Sequence, residues 1–127
     1  MTKGIIYLNV LNTDSNYKLE LQQLKSYAKK NKIEIISIYN DEAYSPIVFD
    51  RPYFKKLVDR IHHNEVDILL TSKLKYIGED LSKVLNYLND FKKYIKFISL
   101  IDNISSDDYE DSYEIYDKVM EALFNAN

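Results

Sequence analysis

The order of apolar runs and amphipathic segments is the feature of this chain that most restricts its fold. Four short runs have the β-branched or wholly apolar character of strands: 5–10, 33–39, 67–71 and 95–101. Four longer segments place apolar residues at helical spacing: 17–31, 51–63, 80–92 and 113–124. Strand and helix therefore alternate, which predicts a largely parallel sheet with helices on both of its faces.

The composition fits one domain and excludes several kinds of chemistry. The chain has 127 residues, 46% of them hydrophobic and 29% charged, which predicts a single domain spanning residues 1–127. It has no cysteine, so disulfides, thiol catalysis and cysteine-ligated zinc are excluded. No apolar run approaches a membrane span, and the N-terminus lacks a signal-peptide cleavage pattern. We therefore expect a cytoplasmic protein without a membrane partner and without a cofactor.

The charge distribution argues mildly against a free-standing DNA-binding domain, which is usually basic. The net charge is −3, and only Arg51 and Arg60 provide the side chain that best clamps phosphate. The stretch 102–117 holds seven acids and no base. We expect a solvated loop and helix start there; the alternative is that its acidity keeps a surface away from DNA.

Polar loops follow the first three predicted strands. Because the carboxyl ends of parallel strands meet at one edge of a sheet, these loops should lie close together. The segment 9–15 should then share a neighbourhood with one arginine, two lysines and a glutamate: Arg51, Lys73, Lys75 and Glu79.

Several short motifs stand in one order along the chain. The first strand leads into YLNVL, residues 7–11, and the first helix carries Leu19, Glu20 and Gln22. The following motifs complete the set: Asp41, Ser45, Arg51, Pro52 and Phe54; Val66-Asp67; and LKYIGED at 74–80. In order and spacing, from residue 5 to about residue 101, the chain resembles the N-terminal catalytic domain of the serine recombinases, the resolvase/invertase family.

The resemblance implies a three-layer α/β/α sandwich with a mixed, mostly parallel sheet and an antiparallel edge strand. Active members cut DNA with a serine hydroxyl that forms a phosphoserine link, assisted mainly by arginines that stabilise the phosphate. It also implies DNA as a partner of the full-length protein, and a homo-oligomer or a recombinase homologue as a partner of the last helix. That helix is expected to be short or truncated at Asn127, and the chain shows no helix-turn-helix or zinc ribbon.

The residues at the family's catalytic positions depart from its pattern. Leu11 stands at the nucleophile position, and Arg51 alone among the cations keeps its identity. The other departures are Asn9 and Glu79 at arginine positions, Ser15 where many members have glutamine, Lys75 and Tyr76 at an Asp-Arg pair, and Ala43 and Pro46 at loop glycines. Losing a nucleophile costs about a million-fold in rate, and losing one arginine about 10³–10⁵ in phosphoryl transfer.

Three functional hypotheses follow. The first is an inactive domain that associates with itself or a homologue through an apolar stripe, Ile115, Val119 and Leu123. The second is an active recombinase with a displaced nucleophile, Ser15 or Thr13. The third, a flavodoxin-like or receiver-like signalling domain, is disfavoured because NVLNTD lacks an acidic pair and the third strand ends in Thr71-Ser72-Lys73.

Four residues need an interpretation of their own. Leu11 is expected to fill space against the loop after the third strand. Arg51 either faces phosphate or is structural, pairing with Asp50 or a loop carbonyl. His62 and His63 point about 100° apart on a helix, so they are expected to be solvated and not to chelate a metal.

Overall fold

The computed structural model describes residues 1–44 and 51–124. The predictions that concern Ser45, Pro46 and the pairing of Asp50 lie outside these residues.

Within residues 1–44 and 51–124, five strands form one sheet in the order β2-β1-β3-β4-β5. Neighbours pair in parallel, except that β5 runs antiparallel to β4. The strands are β1 (Thr2–Leu8), β2 (Ile33–Asn40), β3 (Ile68–Thr71), β4 (Lys96–Ser99) and β5 (Ile104–Ser105). The predicted mixed, mostly parallel sheet is therefore confirmed, and β5 is its antiparallel edge strand.

In the part of the chain that the structure describes, four α-helices cover the two faces of the sheet. They are α1 (Ser15–Lys30), α2 (Pro52–His62), α3 (Leu81–Lys92) and α4 (Tyr116–Phe124). Short 3₁₀ turns occur at Leu74–Tyr76, Ser106–Asp108 and Ser112–Ile115. In residues 1–44 and 51–124, none of the helices has the length and apolar character that crossing a membrane requires.

Local hydrogen bonds explain where the observed boundaries differ from the predicted ones. The first strand ends at Leu8 because the Asn40 side chain binds both backbone groups of Val10. Its Oδ1 accepts from the Val10 N–H at 3.0 Å, and its Nδ2 donates to the Val10 C=O at 2.8 Å. Helix α1 begins at Ser15 because the Asp14 carboxylate accepts from the Asn16 N–H. The last helix opens as a 3₁₀ turn, which Asp111 caps together with Glu114.

Successive residues of the strands supply two separate cores. On one face, strand residues pack under α2, α3 and α4; on the other, they pack under α1 alone. From β1, Ile5 and Tyr7 belong to the first core, and Ile6 and Leu8 to the second. This alternation, with helices on both faces, makes the three-layer sandwich.

Helix α4 buries the apolar stripe that was expected to be free for association. Val119 and Leu123 are almost fully buried in the first core, and Ile115 packs against it. The prediction that this stripe forms an intermolecular face is therefore wrong, because the domain covers it with its own core. A second stripe on α4 faces outward: Tyr116, Met120 and Phe124 are 39, 39 and 56% exposed.

Gly4 lies in β1 where the flanking strands approach too closely for a side chain. A Cβ there would meet Ile33 Cγ2 at 2.6 Å and Ile68 Cγ2 at 3.2 Å. The register between β1 and β2 also shifts between Gly4 and Ile5. The glycine therefore allows β2 and β3 to pack on both sides of the first strand.

We expect Gly4→Ala to lower the free energy of unfolding by about 1–3 kcal/mol, because the added methyl overpacks the strand. Urea denaturation monitored by circular dichroism measures this. Lys3→Ala is the control, since that side chain is exposed on the same strand and should change stability by less than about 0.5 kcal/mol. Equal losses in the two variants would contradict the packing argument.

Candidate functional site

The loops after β1, β2 and β3 meet at the carboxyl edge of the sheet, as predicted. Asn9 bonds to the loop after β2, donating from Nδ2 to the Tyr44 carbonyl at 2.5 Å. Tyr76, in the loop after β3, donates its hydroxyl to Glu20 at 2.6 Å. Arg51 reaches the carbonyls of Tyr76 and Ile77. Hydrogen bonds thus connect all three loops to neighbouring elements at this edge.

Leu11 lies at the surface of this edge, in a turn closed by the Asp14 N–H donating to the Leu11 carbonyl at 2.9 Å. Its side chain is 53% exposed, so the expectation that it fills space against the third-strand loop is wrong. A four-residue turn at this point directs the side chain to solvent. Thr13 and Ser15 are also exposed, and Ser15 is the first residue of α1.

The segment before Leu11 is fixed by two asparagines. Asn9 is nearly buried and bonds across to Tyr44, whereas Asn40 holds Val10 through its amide. The Asn40 Oδ1 also accepts from the Glu42 N–H at 3.0 Å. Sequence reasoning missed Asn40, and its only signal was an amide at the end of a strand.

Arg51 is fully buried beneath the site. It donates through Nη1 and Nη2 to the carbonyls of Tyr76 and Ile77, and through Nη1 to the Tyr7 hydroxyl at 3.1 Å. The guanidinium also lies 4.4 Å from the centre of the Phe54 ring. The sequence analysis offered two structural partners for Arg51, Asp50 and a loop carbonyl. The contact with loop carbonyls is observed, whereas Asp50 lies outside the described residues.

Asp41 extends this buried network to the start of α2. Its carboxylate accepts from the Tyr7 hydroxyl at 2.6 Å and from the N–H groups of Tyr53 and Phe54 at 2.9 and 3.0 Å. Helix α2 begins after Arg51, whose side chain makes no cap, so Asp41 supplies the acceptor from another loop. Tyr7 thus joins the buried cation to the buried carboxylate.

Burial keeps the phenols of the site protonated. It raises the pKa of Tyr7 well above its ordinary value; the charge of Arg51 opposes this, and the hydrogen bond to Asp41 adds to it. Burial, followed by the hydrogen bond to Glu20, raises the pKa of Tyr76 in the same direction. Burial lowers the pKa of Arg51, yet an arginine remains charged in proteins.

A second polar cluster surrounds Glu20, a buried residue of α1. Its Oε1 accepts from the hydroxyls of Ser72 and Tyr76 at 2.7 and 2.6 Å. Lys73 Nζ lies 3.6 Å from its Oε2. Tyr76 therefore satisfies a buried acceptor without contributing a positive charge. Lys75 and Glu79, on the same loop, are half-buried.

The loop after β2 keeps a left-handed backbone although it lacks the glycines expected there. Glu42 and Ala43 have φ of 54° and 72°, values that cost a non-glycine residue about 1–2 kcal/mol. Ala43 stands at a position where the resemblance places a loop glycine. The described part of that loop retains a glycine-like conformation in spite of its sequence.

The two histidines have structural contacts. His62 Nε2 lies 2.7 Å from Asp90 Oδ2, and His63 Nδ1 lies 2.6 Å from the Asp59 carbonyl. Within residues 1–44 and 51–124, no cluster of three histidine or carboxylate side chains could hold a metal ion.

These features define an α/β/α domain with an antiparallel edge strand and a buried arginine network under its carboxyl edge. The family model described as "Resolvase, N terminal domain" matches residues 5–126. The chain belongs to this resolvase family, and the resemblance to the serine recombinases is confirmed. A search of the curated proteins finds no significant match.

Solved structures of this class share the fold. The N-terminal catalytic domain of TP901-1 integrase is 24% identical with a TM-score of 0.78, over 93% of this chain and 91% of that one. A resolvase family site-specific recombinase from Streptococcus pneumoniae is 22% identical with a TM-score of 0.71, over 95% and 87%. The C-terminal catalytic domain of ISC1926 TnpA, an IS607-like serine recombinase, is 17% identical with a TM-score of 0.67, over 77% and 70%.

We expect Arg51→Lys to lower the free energy of unfolding by about 2–4 kcal/mol, because a lysine cannot bond two carbonyls and a phenol as a fork. Thermal and urea denaturation measure this. Arg60→Lys is the control: Arg60 bonds to Ser37, Tyr39 and Glu65 near the surface, so its loss should stay below about 1 kcal/mol. A stable Arg51→Lys protein would contradict a structural role for the guanidinium.

Proposed function

We propose that this chain is a resolvase-family domain without strand-cleaving activity. The observation that carries the proposal is Leu11, an exposed leucine at the position where the family has its serine. A leucine has no hydroxyl, so it cannot form the phosphoserine link on which the reaction depends.

The polar groups around Leu11 support the same proposal. Asn9 and Tyr76 stand at arginine positions and bond inward, to the Tyr44 carbonyl and to Glu20. Glu79 carries the opposite charge at a third such position. Arg51, the remaining family cation, directs its Nη atoms at carbonyls and a phenol of the domain itself. Little positive charge is left to stabilise a phosphate in its transition state.

The role we propose is association, with itself or with a recombinase homologue that handles DNA. The surface for it is the outer face of α4, formed by Tyr116, Met120 and Phe124. These residues are spaced by four, so their side chains form one exposed apolar row. We propose that DNA contact comes through the full-length protein, and that the protein acts in the cytoplasm where that DNA lies.

The second candidate is an active recombinase with a displaced nucleophile. Thr13 and Ser15 are both exposed at the amino end of α1, where the helix dipole favours an anionic phosphate. This observation supports a hydroxyl near a phosphate, but the arginines that would stabilise the transition state are still replaced.

We expect no covalent protein–DNA adduct when the full chain is incubated with a pool of nicked duplexes carrying a randomised centre. Denaturing gels measure the adduct, with an active serine recombinase on its own site as the positive control. Leu11→Ser should form none either, because the cations are missing as well. An adduct that disappears in Ser15→Ala or Thr13→Ala would establish the second candidate.

We expect Met120→Glu/Phe124→Glu to weaken concentration-dependent association by at least about tenfold, because burying two carboxylates in an apolar contact is unfavourable. Sedimentation velocity measures this, on the chain alone and with a recombinase homologue. Glu121→Lys changes the charge beside the row and should leave association intact. Unaltered association of the double variant would contradict the assignment of this face.

A further inference from the structure

An open groove of about 860 Å³ lies between the end of α1 and the edge strand β2. Its floor is apolar, and its rim carries three exposed lysines. The floor residues are Ala28, Ile33, Ile35 and Ile38; the rim lysines are Lys25, Lys29 and Lys32. Together these residues are the lysine-rimmed groove.

The lysine-rimmed groove is separate from the candidate site. Met1 and Thr2 also line it, and Thr2 pairs with Ile33 at the first residues of β1 and β2. The groove therefore opens mainly at the amino end of the sheet, whereas Leu11 and its neighbours lie at the carboxyl end. The groove is therefore distinct from the edge at which the resemblance places the phosphate.

The apolar floor and the lysine rim of the groove together favour one kind of occupant over nucleic acid and over a second groove. An isoleucine floor is poorly suited to a phosphate backbone, which needs polar and charged contacts throughout. A second copy of the same groove is disfavoured because two lysine rims would face each other, as lysines on edge strands often prevent such pairing. A segment that combines carboxylates with an exposed apolar side chain satisfies both the rim and the floor.

This chain carries such a segment at 107–114. Asp108, Glu110 and Tyr113 are all exposed there, and Tyr113 is 51% exposed. Asp107 already pairs with Lys96 at 2.8 Å, and Asp111 and Glu114 cap the turn that follows. Within the described part of the chain, Asp108 and Glu110 take part in no ion pair.

The groove and the acidic segment lie at opposite edges of the sheet but at the same end of it. The groove borders β2, and the segment follows β5, the other edge strand. Asp107 pairs with Lys96, the first residue of β4, which places the segment at the amino end as well. Four strand spacings of about 4.8 Å separate the edges by roughly 19 Å, so they do not meet within one copy.

We propose that the lysine-rimmed groove of one copy binds the acidic segment 107–114 of a second copy, head to tail. Such a contact is heterologous: each pair leaves one groove and one segment unoccupied, so association continues along a row of copies. Lysine–carboxylate pairs at a solvent-exposed rim are screened by ions, so the association weakens as salt rises. This inference goes beyond the proposed loss of cleavage and uses a surface different from the outer face of α4.

Charge reversal on each side tests the contact by sedimentation velocity, at low and high salt. The full chain carries Met120→Glu/Phe124→Glu throughout, so that contact through α4 does not contribute. The groove variant is Lys25→Glu/Lys29→Glu, and the segment variant is Asp108→Lys/Glu110→Lys. Lys18→Glu, an exposed lysine on α1 outside the groove, is the matched control. Circular dichroism melting checks that each variant is folded.

We expect each reversed variant alone to associate at least about tenfold more weakly, and Lys18→Glu to behave as the parent. An equimolar mixture of the two reversed variants should associate again, because each supplies the surface that the other lacks. A parent that stays monomeric up to about 1 mM, or groove reversal without effect, overturns the proposal. The proposal is also overturned, in favour of DNA as the occupant, if the parent binds duplex DNA, the groove variant does not, and the two sediment alike. These outcomes do not affect the adduct experiment, which tests the proposed loss of cleavage separately.

Discussion

One buried guanidinium fixes the relative positions of the elements that form the site. Arg51 contacts the turn after β3 through two carbonyls and β1 through Tyr7. Tyr7 in turn donates to Asp41, just after β2, whose carboxylate accepts from the first N–H groups of α2. A charge without partners in an apolar interior is very costly, so these contacts cannot be exchanged one at a time. The geometry of the carboxyl edge therefore depends on a residue that solvent does not reach.

This constraint explains why the geometry of the carboxyl edge does not depend on the side chain that stands at Leu11. Arg51 is fully buried and its Nη atoms donate to groups of the domain itself, so the fold alone accounts for its position. Leu11 has no such structural requirement, because its side chain is mostly exposed and contributes little to packing. Tyr76 shares part of the structural role of Arg51, because its hydroxyl donates a hydrogen bond to the buried Glu20.

The sequence predicted the order of elements, the mostly parallel sheet and the loops that meet at its carboxyl edge. It did not predict which stripe of the last helix is buried, because α4 carries two apolar stripes, and periodicity alone does not distinguish the core-facing Val119 from the outward Met120. The direction of Arg51 depends on carbonyls in a distant turn, and the exposure of Leu11 on one local hydrogen bond. Tertiary contacts of this kind leave no periodic pattern in the chain.

The left-handed backbone at Glu42 and Ala43 shows that the shape of this loop is imposed by its surroundings. Asn40 holds the Glu42 N–H, and Asn9 holds the Tyr44 carbonyl, one on each side of the strained pair. The neighbours therefore specify a conformation that the residues themselves disfavour. A sequence search that requires glycine at these two positions would therefore overlook a chain whose loop has this same left-handed backbone.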